Sequence, residues 1–383
     1  MRYVKFFEII IMIIGIAVFY YHSIYGMIFT LFLMAVHSTF FAPAKAGYIP
    51  ESCEPNLITK ANSIVGMTTF FSIISAMAFA GILFKQHQEQ PYISIIYCLT
   101  LAVSGWIISF GIPDTQIKST LNKFPSNPFL GIYHDLIYLK SHKGLFLAAL
   151  ANSYFWLLGL VFTTNILIYG KDLLELGVQD SNLLSLLPGI LGIGIAMGSL
   201  LAGRLSGKKV EIGLVPLGGS LMALCGILLF WSYTSYTVTA FILFACGVSG
   251  GLFVVPLNAY LQNEADPAQK GRILSTVGIL NGIFLILGSI LYSLLAVSLN
   301  VASNTIYLFM GILTLLVVVY ICLIIPDYFI RFLAWCLTHT FYKIRIIGSE
   351  NIPYQGGALL AANHVSFVDA LFIGACIQRF IRF

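Results

Sequence analysis

Phe40-Phe41-Ala42-Pro43-Ala44-Lys45-Ala46 and Phe253-Val254-Val255-Pro256-Leu257-Asn258-Ala259 are two copies of one pattern. Each closes an apolar run. Each is followed by an acidic, proline-containing loop, Glu54-Pro55 in one copy and Asp266-Pro267 in the other. Each then reaches Ser-x-Val-Gly at the start of the next run, Ser63-Ile64-Val65-Gly66 and Ser275-Thr276-Val277-Gly278. A one-residue gap brings the copies into register. Self-similarity at this separation predicts a chain built from two related helical units.

The runs around these copies are membrane spans. Hydrophobic residues make up 59% of the 383 residues and charged residues 9%, where soluble chains carry about 25% charged. A spanning helix needs roughly 20 apolar residues. Ten segments qualify: 6–22, 24–42, 63–84, 92–112, 145–168, 182–202, 212–232, 236–262, 272–298 and 304–326. No Asp, Glu, Lys or Arg lies between Glu211 and Glu264, nor between Arg272 and Asp327. Each gap must hold a helical hairpin, because unpaired backbone is not tolerated in lipid. The repeated pattern then matches span two to span eight, a shift of six.

Lys and Arg set the sidedness. With the first residues and alternate loops in the cytoplasm, 18 of the 20 basic residues fall on that side; Lys85 and Lys171 are the exceptions. This positive-inside bias predicts a multi-pass membrane protein with a cytoplasmic C-terminal tail. No small-residue cleavage site follows Met1, so no removable signal peptide is expected. The seven cysteines are scattered without a Cys-x-x-Cys pair. They imply neither a disulfide framework nor a metal site, and no cofactor is expected. The basic residues line membrane loops, which gives no support to nucleic-acid binding.

A parallel repeat of six helices resembles the major facilitator transporters. The resemblance implies that spans five to ten form a complete second half (144–326). Spans one to four form a first half (1–112) lacking two helices, and 113–143 is the cytoplasmic linker. The expected fold is thus an all-α polytopic membrane protein, a major-facilitator fold with ten of twelve helices. Gly203-Arg204-Leu205-Ser206-Gly207-Lys208-Lys209 resembles the family's cytoplasmic gating loop, with Ser206 where Asp is usual. Plain positive-inside clustering is the other reading of its Arg204, Lys208 and Lys209.

Met34-Ala35-Val36-His37-Ser38-Thr39-Phe40-Phe41-Ala42-Pro43-Ala44-Lys45, continuing to Tyr48-Ile49-Pro50-Glu51, resembles the bacterial lysophospholipid transporters. Ala202–Gly207 and Gly213–Gly218 match as well. The resemblance covers residues 1–326 and implies a lysophospholipid, such as lysophosphatidylethanolamine, as the transported molecule and membrane lipid as the surroundings. The residues agree. Ionisable groups inside a membrane mark substrate or ion paths, and the spans hold almost none besides Glu8 and His37. A charge-poor interior suits an acyl chain better than a sugar or ion. Asn152, Asn165, Asn258 and Asn281 are candidate cavity amides; binding between neighbouring helices is the alternative. Gly189, Gly192, Gly194 and Gly198 are spaced for close helix packing.

The tail is different. An interfacial amphipathic segment is expected at 327–345, followed at 346–383 by the start of an α/β domain. Tyr342–Gly348 alternates like a strand, Ala358–Ala362 reads as a short buried strand, and Ser366-x-x-Asp369 opens a helix. Asn363-His364-Val365-Ser366-Phe367-Val368-Asp369 resembles the first block of glycerolipid acyltransferases. That resemblance implies His364 as general base and Asp369 as its orienter, with an acyl carrier protein or CoA thioester as acyl donor. Imidazole chemistry supports the roles, since a carboxylate on one ring nitrogen fixes the tautomer of the other. Helix capping by Asp369 is the alternative. The family's later Gly-x-x-x-x-Arg and Glu-Gly-x-x-Arg blocks are absent, so acyl transfer by residues 346–383 alone is not expected. A transporter of drugs or another small solute, with the tail incidental, is the competing function.

Overall fold

A computed structural model describes residues 2–113, 128–176, 181–206, 210–266 and 269–324. Beyond these it describes residues 330, 333–335, 337, 338, 341, 342, 344, 347, 357–363 and 365–376. All regular structure among the described residues is helical. A helix stands at each of the ten expected spans: α1 (Arg2–Tyr20), α2 (Ile24–Ser52), α3 (Ile58–Gln86), α4 (Tyr92–Ser109), α6 (Lys143–Asp172), α7 (Ser181–Ser206), α8 (Leu214–Leu228), α9 (Tyr236–Glu264), α10 (Lys270–Ser293) and α11 (Ser303–Ile324). Eight of these are long and apolar enough to cross a membrane by length and composition.

Two expectations about the linker and boundaries need correction. Part of 113–143 is not loop: Pro128–Ser141 forms a helix, α5, with Pro at its first position, where the missing N–H costs nothing. The second span does not stop at residue 42. It runs through Pro43 and Pro50 to Ser52, because neighbouring groups in a membrane bundle can satisfy the carbonyls that proline frees. The start of α2 is set by Ser23, whose hydroxyl accepts from the Gly26 N–H at 3.2 Å, after His22 turns the chain at φ 51°.

Glycine makes the tightest crossing in the bundle. A Cβ on Gly198 would lie 2.0 Å from the Val248 carbonyl oxygen, and one on Gly194 2.3 Å from that of Phe244. Gly247 and Gly251 meet α7 from the other side. Backbone-to-backbone approach replaces the hydrophobic drive that lipid cannot supply. The buried core lies mainly among α6 to α11, around Tyr169, Tyr307 and Phe253. α1 packs on α4 and α2, whereas α3 packs chiefly on α7 and α9.

Contacts fix which helix ends lie together. Arg2 donates to the Ile112 carbonyl, Tyr48 to that of Pro113, and Arg272 pairs with Asp135 of α5. The starts of α1 and α10 and the ends of α2 and α4 therefore share one end with the linker. Asn62 meets Gln262, and Gly144 meets Tyr260, which adds the starts of α3 and α6 and the end of α9. This is the linker end.

The tail departs from its expected strands. Ala358–Ala362 has no ladder, and Leu359 and Leu360 are exposed. A strand exists only through a partner, and none is present among the described residues. Of Tyr342–Gly348, the described Tyr342, Ile344 and Ile347 are not strand either, and the remaining four residues lie outside the description. The described residues from 330 to 341 are helical. Ile330, Leu333, Leu337 and Phe341 are exposed at helical spacing, with Ala334 and Thr338 buried between them.

Candidate functional site

Three groups of polar side chains bear on the expected site. The first joins α1 and α2. Lys5 Nζ lies 2.7 Å from Glu8 Oε2, and His37 Nε2 lies 3.8 Å from the same oxygen. The second distance is too long for a hydrogen bond. His37 is 8% exposed, and neither ring nitrogen has a hydrogen-bond partner among the described residues. Phe41, one helical turn on, stacks on the imidazole at 6.2 Å, and Lys5 Nζ sits 5.0 Å from the Phe41 ring centre. A further turn along, Lys45 reaches Thr69 of α3 at 3.4 Å. Two lysines against one carboxylate leave this group cationic when all three are ionised.

The second group joins α6 and α10. Asn281 Oδ1 accepts from Asn152 Nδ2 at 3.2 Å and from Ser153 Oγ at 2.8 Å. The Asn152 side-chain oxygen is buried without a partner among the described residues. Asn258 on α9 is half-buried, at the repeat position equivalent to Lys45. Asn165 lies apart from these. It is fully buried and donates to the Ser303 carbonyl at 2.8 Å, tying α6 to the start of α11 at the far end.

The third group was not legible in the sequence. Asn62 of α3 and Gln262 of α9 form a reciprocal amide pair. Asn62 Nδ2 donates to Gln262 Oε1 at 2.7 Å, and Gln262 Nε2 donates back at 3.2 Å. Both side chains are buried. Gln262 lies one turn beyond Asn258 on the same face of α9. Amides in loops and helix ends are common, and only the three-dimensional pairing singles these two out. Beside them Gly203 faces Ser63 so closely that a Cβ would lie 2.2 Å from the serine oxygen. Gly203, the first residue of the expected gating loop, thus sits against α3. Arg204 is exposed on α7, and Gly207, Lys208 and Lys209 lie outside the described residues. Also at the linker end, a recess of ≈560 Å³ is lined by Arg2 of α1, Tyr48 and Glu51 of α2 and Gly271 of α10.

In the tail, the Asp369 carboxylate accepts from the Val365 N–H at 2.7 Å and from the Ser366 N–H at 2.8 Å. Asp369 opens a short helix, α12 (Asp369–Cys376). The bond to Ser366 is the return half of a capping box. His364 lies outside the described residues.

The Major Facilitator Superfamily model matches residues 4–289. The chain belongs to this superfamily. Among curated relatives, the lysophospholipid transporter LplT of Photorhabdus laumondii is 24% identical over 243 residues, 61% of this chain and 57% of that protein. LplT of Yersinia enterocolitica is 24% identical over 233 residues, 61% of this chain and 56% of its own length. The chain thus spans just over half the length of these relatives. Among solved structures, the human organic anion transporter MFSD10 superposes with a TM-score of 0.65 at 12% identity, covering 82% of this chain and 76% of that one. A bacterial homologue of the iron transporter ferroportin, in an outward-facing state, gives 0.62 at 14% identity, covering 83% and 81%. These likenesses show the fold: an all-helical membrane transporter architecture.

Proposed function

We propose that this transporter moves lysophospholipid across a bacterial inner membrane and delivers it for reacylation on the cytoplasmic face. The observation that carries the substrate is the interior itself. Among the described residues of the ten span helices, the charged side chains that are half-buried beyond a helix's first residue are Lys5, Glu8 and Lys45, and the other polar groups described above, His37 apart, are neutral amides and hydroxyls. Such an interior offers cations to a phosphate and apolar walls to one acyl chain. The named lysophospholipid transporters among its relatives support the same substrate.

Movement follows from the two halves. The Asn62–Gln262 pair and the Ser63–Gly203 contact hold them together at the linker end. Breaking these contacts would expose the interior to that side, which the basic loops assign to the cytoplasm. The tail supports reacylation through its acyltransferase-like block. Asp369 fixes the loop at Val365 and Ser366, and in acyl transfer it would orient His364 as general base.

Labelled lysophosphatidylethanolamine added to membrane vesicles tests the reading. Protein-dependent passage across the bilayer is expected for the single-chain lipid and not for its diacyl counterpart. Passage of neither, with export of an amphiphilic drug instead, would favour the small-solute reading.

A further inference from the structure

The second half contains a cavity that none of the three polar groups explains. It measures ≈300 Å³, and its walls are almost wholly apolar. Ala148 and Ala151 of α6 make the space, and Leu257 of α9, Phe284 of α10 and Ile321 of α11 enclose it. Gly144, Ile212 and Ile324 also line it, and these stand at the start of α6, before α8 and at the end of α11. The mouth is therefore at the linker end. Tyr154 lines the inner end, ten residues along α6 from Gly144, which is a depth of about 15 Å. Its hydroxyl is satisfied by Thr314 Oγ1 at 2.7 Å, so the floor presents no free polar atom.

Two tyrosines mark the mouth. Tyr260 and Tyr320 both line the cavity, and Tyr320 is exposed on α11. Lys143, next to Gly144, is exposed as well. Tyrosine with an adjacent lysine is the chemistry of the membrane–water interface, apolar body inward and polar tip at the headgroups. A polar solute in this cavity would lose its hydrogen bonds to water and find none in exchange. The volume is at the low end of ligand pockets, which run from about 300 to 1,000 Å³, and the depth takes roughly ten methylenes of one extended chain. Two chains do not fit.

We infer that this cavity receives the acyl chain of a lysophospholipid, with the headgroup at the rim of Tyr260, Tyr320 and Lys143. The inference rests on the lysophospholipid reading above and adds where the chain goes. Filling the cavity should expel the chain. Each methylene displaced weakens binding about fourfold, so the ring of Ala151→Phe, displacing two or more, lowers occupancy by about tenfold or more.

The test uses the whole protein in membranes and three probes with a photoreactive group near the chain end: a lysophospholipid, a free fatty acid and a diacyl phospholipid. The expected lysophospholipid adducts map to Leu147–Tyr154 and Phe284, fall about tenfold in Ala151→Phe, and are matched by neither other probe. Ala148→Val, a smaller change, should lower them in the same direction and guards against misfolding of the first variant. Adducts spread over lipid-facing residues, adducts from the diacyl probe at equal yield, or yields unchanged in both variants would overturn the assignment. Lysophospholipid passage without adducts here sinks the cavity assignment and leaves the transport reading standing. Adducts here without passage uphold the cavity and sink the transport reading.

Discussion

Removing Asn62 should loosen the linker end of the bundle. Its amide makes both bonds to Gln262, at 2.7 and 3.2 Å, and Gln262 is 3% exposed. Asn62→Ala deletes both and strands the glutamine amide among apolar groups. Side-chain hydrogen bonds between membrane helices average about 0.6 kcal/mol and reach about 1.7, so the pair is worth about 1–3 kcal/mol. If the contact exists only with the linker end closed, the whole difference shifts the equilibrium toward opening. A shift of about 1.4 kcal/mol is tenfold in population. Ser63→Cys, in a chain stripped of its other cysteines, provides the probe, because Ser63 is 3% exposed against Gly203. Maleimide should label it about tenfold faster after Asn62→Ala. Gln262→Ala should match that rate, and the double variant should go no faster than either, since all three lose the same contact. Unchanged labelling, or additive effects, would refute the latch.

Further outcomes follow from the same contacts. Gly198→Ala drives a Cβ into the Val248 backbone at 2.0 Å, whereas Gly278 has open space around it. Thermal unfolding in detergent should show a loss of about 1–3 kcal/mol or more for the first and none for Gly278→Ala. Asp369→Ala frees the Val365 and Ser366 N–H groups and costs the helix start about 1 kcal/mol, which hydrogen exchange at those amides would report. In a protein long enough to transfer acyl groups, His364→Ala should abolish that activity while leaving lysolipid passage nearly intact. Retained acyl transfer would favour the capping role alone. A cysteine introduced near Lys123 should react only from the cytoplasmic side; labelling from outside in intact cells would invert the topology.

The spans were legible because charge is so scarce: the gaps between Glu211 and Glu264 and between Arg272 and Asp327 each force a hairpin. The close packing of Gly192, Gly194 and Gly198 was legible too, because small residues recur on one helix. Helix ends were not. Pro43 reads as a stop in isolation, yet α2 passes through it. α5 was missed because its polar surroundings and Pro128 resemble loop, while Leu139 is fully buried only once α6 is beside it. The amides divide for a similar reason. Asn152 and Asn281 share a site across two helices, and Asn165 is a fastener to Ser303. Nothing along the chain separates these roles. Ala358–Ala362 shows the opposite failure: a short apolar run that suits a buried strand has no neighbour to pair with among the described residues.

Lysophospholipid passage is the measurement that bears most directly on the account. Membrane vesicles from cells making this protein would be loaded with headgroup-labelled lysophosphatidylethanolamine in one leaflet, and its loss from that leaflet followed by extraction with albumin. The account predicts passage above that of vesicles lacking the protein, slowed by Ala151→Phe and absent for the diacyl lipid. Equal rates with and without the protein would contradict it.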